Sequence, residues 1–189
     1  EEKETVLATM RVITRNIIEI AKIYGYGYQE LSDLWERGAP CPWRVQEVRD
    51  PYSLLFIAAD ILGSVEAFEG TDMWVRYEET GPGAYRVEAY PGEHPTELKG
   101  RLQRRRYGFK RGTVSYELCA ECGIPLAVAR YCWDLDAGVI TDPDTGRRMA
   151  VFGPFSIDSI LDDLENELGE AVPEAVIEAS REYIRTAWS

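Results

Sequence analysis

The sequence predicts an α+β domain with antiparallel strands. Long helical stripes lie at both ends of the chain, and two pairs of alternating segments, each joined by a Gly- or Pro-containing turn, lie between them. No repeated strand–helix–strand rhythm of the kind that builds parallel sheets is present. The expected architecture is N-terminal helices, antiparallel β-hairpins and a C-terminal helical pair. All of it falls in a single domain, 1–189, with a small cysteine-knuckle lobe at 113–153.

Residues 2–24 carry Val6, Met10, Ile13, Ile17, Ile20 and Tyr24. Their spacing alternates four and three, which places all six on one helix face. Val12, Ile18 and Ile23 widen that face. So regular a stripe suits a dimer seam as well as a contact with the helix's own domain, and a homodimer through this helix is expected.

Gly25-Tyr26-Gly27-Tyr28 ends the first helix, and a short helix is expected over 29–37, stopped by Gly38. Pro40 and Pro42 flank Cys41 and exclude regular structure there. Asp50-Pro51 reads as the N-cap and first residue of a second helix, which ends at Gly70. Its Leu54, Leu55, Phe56, Ile57, Ile61, Leu62, Val65 and Phe68 make it apolar on most sides, as a central helix should be.

Met73, Val75 and Tyr77 share one face of a strand, and Tyr85, Val87 and Ala89 share a face of the next. Thr80-Gly81-Pro82-Gly83 joins them as a hairpin. Beyond Pro91-Gly92-Glu93-His94-Pro95 the pattern predicts a short basic helix, a strand at 113–118 and a helix over 125–135 opened by Pro125. A second hairpin pairs 138–141 with 147–152 around Asp142-Pro143-Asp144-Thr145-Gly146. The chain closes with two amphipathic helices. One carries Ile157, Ile160, Leu161, Leu164 and Leu168, with Ser156 as its cap; the other, opened by Pro173, carries Val172, Val176, Ala179 and Tyr183.

The chain holds 33 acidic residues against 21 basic, a net charge of −12. Such a surface repels nucleic acid and anionic membranes, and neither is an expected partner. No uncharged run approaches the roughly 18 residues of a membrane span, and no signal-peptide pattern opens the chain. Four cysteines, two of them in a Cys-x-x-Cys, fit a reducing, cytoplasmic setting.

That pair lies in Cys119-Ala120-Glu121-Cys122-Gly123. The turn aims two sulfurs at one spot, as a Zn²⁺ or iron–sulfur knuckle requires. Cys132 is the candidate third ligand, and Cys41, held by its prolines, the fourth; His94 is an alternative fourth. A structural Zn²⁺ is therefore expected. A redox pair, an iron–sulfur cluster and plain buried cysteines compete with it. The turn is similar to the knuckles of zinc ribbons over about five residues and implies nothing further.

Lys99, Arg101, Arg104, Arg105, Arg106, Lys110 and Arg111 form a basic run free of acids. Paired with the aromatic cluster of Tyr24, Tyr26, Tyr28, Trp35, Trp43 and Tyr52, it suggests a pocket for a small apolar or anionic ligand. Arg104, Arg105, Arg106, Tyr26, Tyr28 and Trp43 are its candidate contacts. Internal ion pairing is the competing reading of the run and plain core packing that of the aromatic cluster, and Arg147-Arg148 in the second hairpin also reads as structural.

No Walker loop, dinucleotide glycine motif, His-Glu-x-x-His or Gly-x-Ser-x-Gly occurs. The single histidine, His94, has no orienting partner visible in the sequence. The function expected is therefore a non-catalytic ligand-binding or regulatory domain. The alternative is a metal-dependent enzyme whose cysteine site keeps one open position, with Glu117, Glu121 or Asp134 as acid–base group.

Overall fold

The computed structural model describes residues 2–95, 108 and 111–187. The chain forms two compact units, Glu1–His94 with Gly112–Val151, and Pro95–Arg111 with Phe152–Ser189. The described residues form five helices and two antiparallel sheets, so the fold is α+β. No helix among them is long and apolar enough to cross a membrane.

The first unit opens with α1 (Glu2–Ile23), followed by β1 (Tyr28–Leu31), two 3₁₀ turns (Asp33–Trp35 and Pro42–Arg44) and β2 (Val45–Arg49). Next come α2 (Leu54–Glu69), β3 (Met73–Gly81) and β4 (Ala84–Pro91). These strands form one sheet in the order β1-β2-β4-β3. Because β4 runs antiparallel to both β2 and β3, those two are parallel to each other, and β2-α2-β3 is a β–α–β unit split by β4.

Strand alternation gives this sheet two different faces. Val48, Met73, Val87 and Ala89 are buried on one face, and Ile57, Ala58, Ile61 and Val65 form the buried side of α2 packed on it. Each such Ile or Val contributes about 1.5–3 kcal/mol by leaving water. The other face is charged. Arg49 meets Glu30 at 2.9 Å, Arg86 meets Glu47 at 3.1 Å and Arg76 meets Glu88 at 2.7 Å.

Helix α1 docks through Thr14, Ile18 and Ala21, which are buried. The heptad-spaced stripe borders that face without joining it: Val6 and Ile20 are each 50% exposed and Tyr24 is 42% exposed.

A second sheet, β5 (Cys132–Asp134), β6 (Val139–Thr141) and β7 (Arg148–Met149), closes the end of α1. The Val151 N–H donates to the Tyr24 carbonyl at 2.9 Å, and the Gly27 N–H donates to the Gly138 carbonyl at 2.9 Å. The Tyr24 carbonyl, just past the last turn of α1, thus finds a donor two residues beyond β7. Gly138 has φ +64°, and a Cβ there would lie 2.3 Å from the Gly27 oxygen, so only glycine fits the crossing.

In the second unit, α4 (Pro154–Leu168) and α5 (Ala171–Ala187) form a helical pair. Gly153 caps α4 ahead of Pro154 at its first position, in place of the expected Ser156, and α5 begins two residues before Pro173. A proline fits so early because first-turn N–H groups have no partner within the helix.

Other expectations change too. The helix expected at 29–37 is strand β1 followed by a single 3₁₀ turn, because Gln29 and Leu31 pair with Val48 and Gln46 of the unforeseen strand β2. Pairing overrides a weak local preference here. Asp50 does not cap α2. Carried by β2 to the β4 turn, it donates its N–H to the Gly83 carbonyl at 2.8 Å, and Ser53 caps the helix instead. The strand expected at 113–118 is reduced to one bridge, Leu118 to Pro125. The helix expected over 125–135 is only α3 (Leu126–Ala129), since Trp133 pairs with Ile140 in the second sheet.

Candidate functional site

The second hairpin presents the least explained charge among the described residues. Its turn is rigid: the Asp142 carboxylate accepts the Asp144 N–H at 3.0 Å and the Thr145 hydroxyl at 2.8 Å, which holds Asp142 below the usual aspartate range. The chain then enters β7, where Arg148 pairs with Thr141 and Met149 with the fully buried Ile140.

The Arg148 side chain has its Nε and Nη2 atoms buried and without a hydrogen-bond partner among the described residues. Burial pulls the affinity of this guanidinium for its proton below the ordinary arginine level, while the Asp50 carboxylate and Tyr52 act in the opposite direction. An arginine nevertheless stays charged at neutral pH. A desolvated cation with orphaned donors is costly unless a counter-charge completes it.

Asp50 is one of two non-glycine residues with positive φ among the described residues, at 45°. Backbone strain of that kind concentrates at functional positions. The Tyr52 ring beside it is exposed, and the Tyr52 N–H donates to the Tyr26 carbonyl at 2.9 Å. Arg148, Asp50 and Tyr52 therefore combine a half-buried cation, a carboxylate carried on a positive-φ backbone and an accessible aromatic ring. Two adjacent guanidinium N–H groups match an oxyanion such as a carboxylate or phosphate.

The cysteine turn is closed by its own backbone. The Cys119 N–H donates to the Ile124 carbonyl at 2.8 Å, the Gly123 N–H donates to the Cys119 carbonyl at 2.9 Å, and Gly123 takes φ +73° to close the turn. The Cys122 and Glu121 amides donate to the Cys119 sulfur, which also hydrogen-bonds the Cys122 side chain, and together they hold the Cys119 thiol below its ordinary range.

The other cysteines do not join this pair. Cys132 is exposed at the start of β5, and Cys41 lies half-buried with φ 49°, capping the turn that carries Arg44. Among the described residues no three His, Cys, Asp or Glu side chains are grouped to hold a metal ion.

His94 has the orienting partner that the sequence did not reveal: its Nε2 lies 2.6 Å from Glu66 Oε1, and its backbone N–H donates to Asp72 Oδ2 at 3.1 Å. Glu66 also accepts the Met73 N–H at 2.8 Å, so the pair ties the end of α2 to the edge of the sheet.

The aromatic residues divide into separate groups. Tyr26 is buried against Phe56, with ring centroids 4.9 Å apart, and its hydroxyl donates to the Val151 carbonyl at 2.9 Å. Tyr28 lies on the charged sheet face, where Lys22 and Arg49 approach its ring and its hydroxyl donates to Glu30 at 2.7 Å. Trp43 donates to Glu69 Oε1 at 2.9 Å, and Arg44 binds the same carboxylate through two nitrogens. Arg104, Arg105 and Arg106 lie outside the described residues, as does the basic helix expected around them.

What sets Arg148 apart from Arg147 is its pair of buried nitrogens, Nε and Nη2, without hydrogen-bond partners among the described residues. Its position two residues past a turn glycine, in register with a strand, was the one available hint. Comparison with protein-family models, with curated proteins and with solved structures found no match for this chain.

Proposed function

We propose that this is a non-catalytic domain that binds a small anionic ligand at Arg148 and pairs with a second copy along α1. The observation that carries the reading is the Arg148 guanidinium, with Nε and Nη2 buried and unpartnered among the described residues. An oxyanion accepting both N–H groups would remove the cost of that arrangement. Tyr52 offers an adjacent ring for an apolar body, which favours an aromatic or short aliphatic acid over a bare ion.

The pairing half of the reading rests on α1. Its four-three stripe is left half-covered beside the buried face, and that spacing meshes best with another helix of the same period. The two halves are physically linked. Val151, two residues past Met149 of β7, hydrogen-bonds the Tyr24 carbonyl at the end of the stripe. A ligand that draws Arg148 toward itself therefore pulls on the segment that anchors α1.

Thermal unfolding with benzoate, acetate or inorganic phosphate tests the ligand site. Benzoate should raise the midpoint by several degrees in the wild type and leave Arg148→Met unmoved, as mass action requires. Equal shifts in both proteins would place any binding elsewhere. Light scattering on dilution, repeated with Ile13→Asp/Ile17→Asp, tests the pairing: the wild type should be a dimer and the variant a monomer.

A further inference from the structure

Tetrahedral zinc takes four protein ligands in structural sites, and this chain brings two thiols together. The pair is otherwise prepared: the turn is closed by its own backbone bonds, and amides face the Cys119 sulfur as they do where a thiolate binds metal. Half of a coordination set is therefore formed, with Cys122 exposed and Cys119 half-buried.

A second, independent observation concerns the surroundings of the pair. Val114, Tyr116 and Leu118 approach the turn at alternate positions and are 71%, 64% and 56% exposed. Ile124 and Leu126, on the departing arm, are also exposed. Beside them a groove of about 350 Å³ is lined by Tyr116, Glu117, Leu126, Ala127 and Arg130. Exposed apolar residues on both chain segments that flank an incomplete metal site mark a contact face.

We propose that one Zn²⁺ is shared by two copies of this chain, each giving Cys119 and Cys122. A two-fold axis through the metal supplies the missing pair of ligands with no additional residue, and it lays the apolar rim of one knuckle against that of the other. No cysteine of the same chain needs to move. Each thiol loses its proton on binding, so four protons leave per zinc. The contact is distinct from the pairing along α1, and engaging both would join four chains or more.

The experiment uses the reduced full chain, purified without tag or chelator, with Zn²⁺ added as the chloride. Bound zinc is measured by elemental mass spectrometry and molar mass by light scattering. The Ile13→Asp/Ile17→Asp background removes the helical pairing, so zinc alone reports on the knuckle. The expected result is half a zinc per chain and a twofold rise in mass. Both should be lost in Cys119→Ser and in Cys122→Ser, and both kept in Cys41→Ser and in Cys132→Ser. One zinc per chain at unchanged mass would overturn the proposal in favour of a site closed within one chain. Failure of the wild type to retain zinc would overturn it outright, as would half a zinc per chain that survives Cys119→Ser.

Discussion

Trp133 donates its indole N–H to the carbonyl oxygen of Ile23 at 3.1 Å, so a strand of the small sheet closes the last turn of α1. Trp133→Phe keeps most of the ring and removes the donor. The loss should cost about 1 kcal/mol, the net worth of one such hydrogen bond. Hydrogen exchange at the end of α1 should accelerate while α2 keeps its protection. A uniform change along both helices would contradict a local tie.

Asp60 faces inward from α2 with burial as the one resolved influence on it, and its carboxyl is held above its ordinary value of 3.8. The folded protein therefore binds more protons than the unfolded chain over a window that starts near that value. Stability is greatest below the window and falls as pH rises through it. Asp60→Asn should raise the unfolding midpoint at pH 7 and give no gain below about pH 3, where the carboxyl is protonated in both states. A variant less stable than the wild type at pH 7 would show that Asp60 has an ionic partner.

Glu69 has the opposite sign. Hydrogen bonds from Arg44 come first and that from Trp43 second in holding its carboxyl below the ordinary glutamate value of 4.5, against the effect of burial. Its stabilisation is present above that value and is lost as pH falls through the lower folded one. Glu69→Gln should destabilise at pH 7 by about 1–3 kcal/mol, because the Arg44 guanidinium is left partly buried without its carboxylate. The deficit should shrink toward pH 3. Urea unfolding at several pH values measures both.

The helices at the ends of the chain, α2 and the β3–β4 hairpin were legible because periodicity and turn residues act locally. Strands β1 and β2 were not. Their four and five residues carry no strong alternation, and Gln29 and Gln46 are buried because the pairing puts them there. The cysteine turn was legible from Cys119 to Gly123, but whether Cys41 and Cys132 reach it depends on tertiary placement. Arg148 could not be told from Arg147 for the same reason: spacing assigns a residue to a strand and does not say which nitrogen atoms lose water.

Arg148→Met should therefore stabilise the protein in buffer free of multivalent anions, by about 1 kcal/mol, since an apolar side chain of similar length replaces two buried guanidinium nitrogens without hydrogen-bond partners, a cost that the Asp50 carboxylate offsets only in part. Unfolding in urea, with and without benzoate, measures it. In saturating benzoate the order should reverse. A loss of stability without any anion would mean that the Asp50 carboxylate already compensates Arg148 in the free protein.

The most direct measurement is the nitrogen–proton spectrum of the arginine Nε–H groups, recorded while benzoate is added. One signal, identified as Arg148 by its absence from Arg148→Met, should move downfield and saturate with the ligand, because its N–H gains an acceptor. If that signal stays fixed while the protein is exposed to benzoate, acetate and phosphate in turn, Arg148 is not an anion site and the proposed function fails.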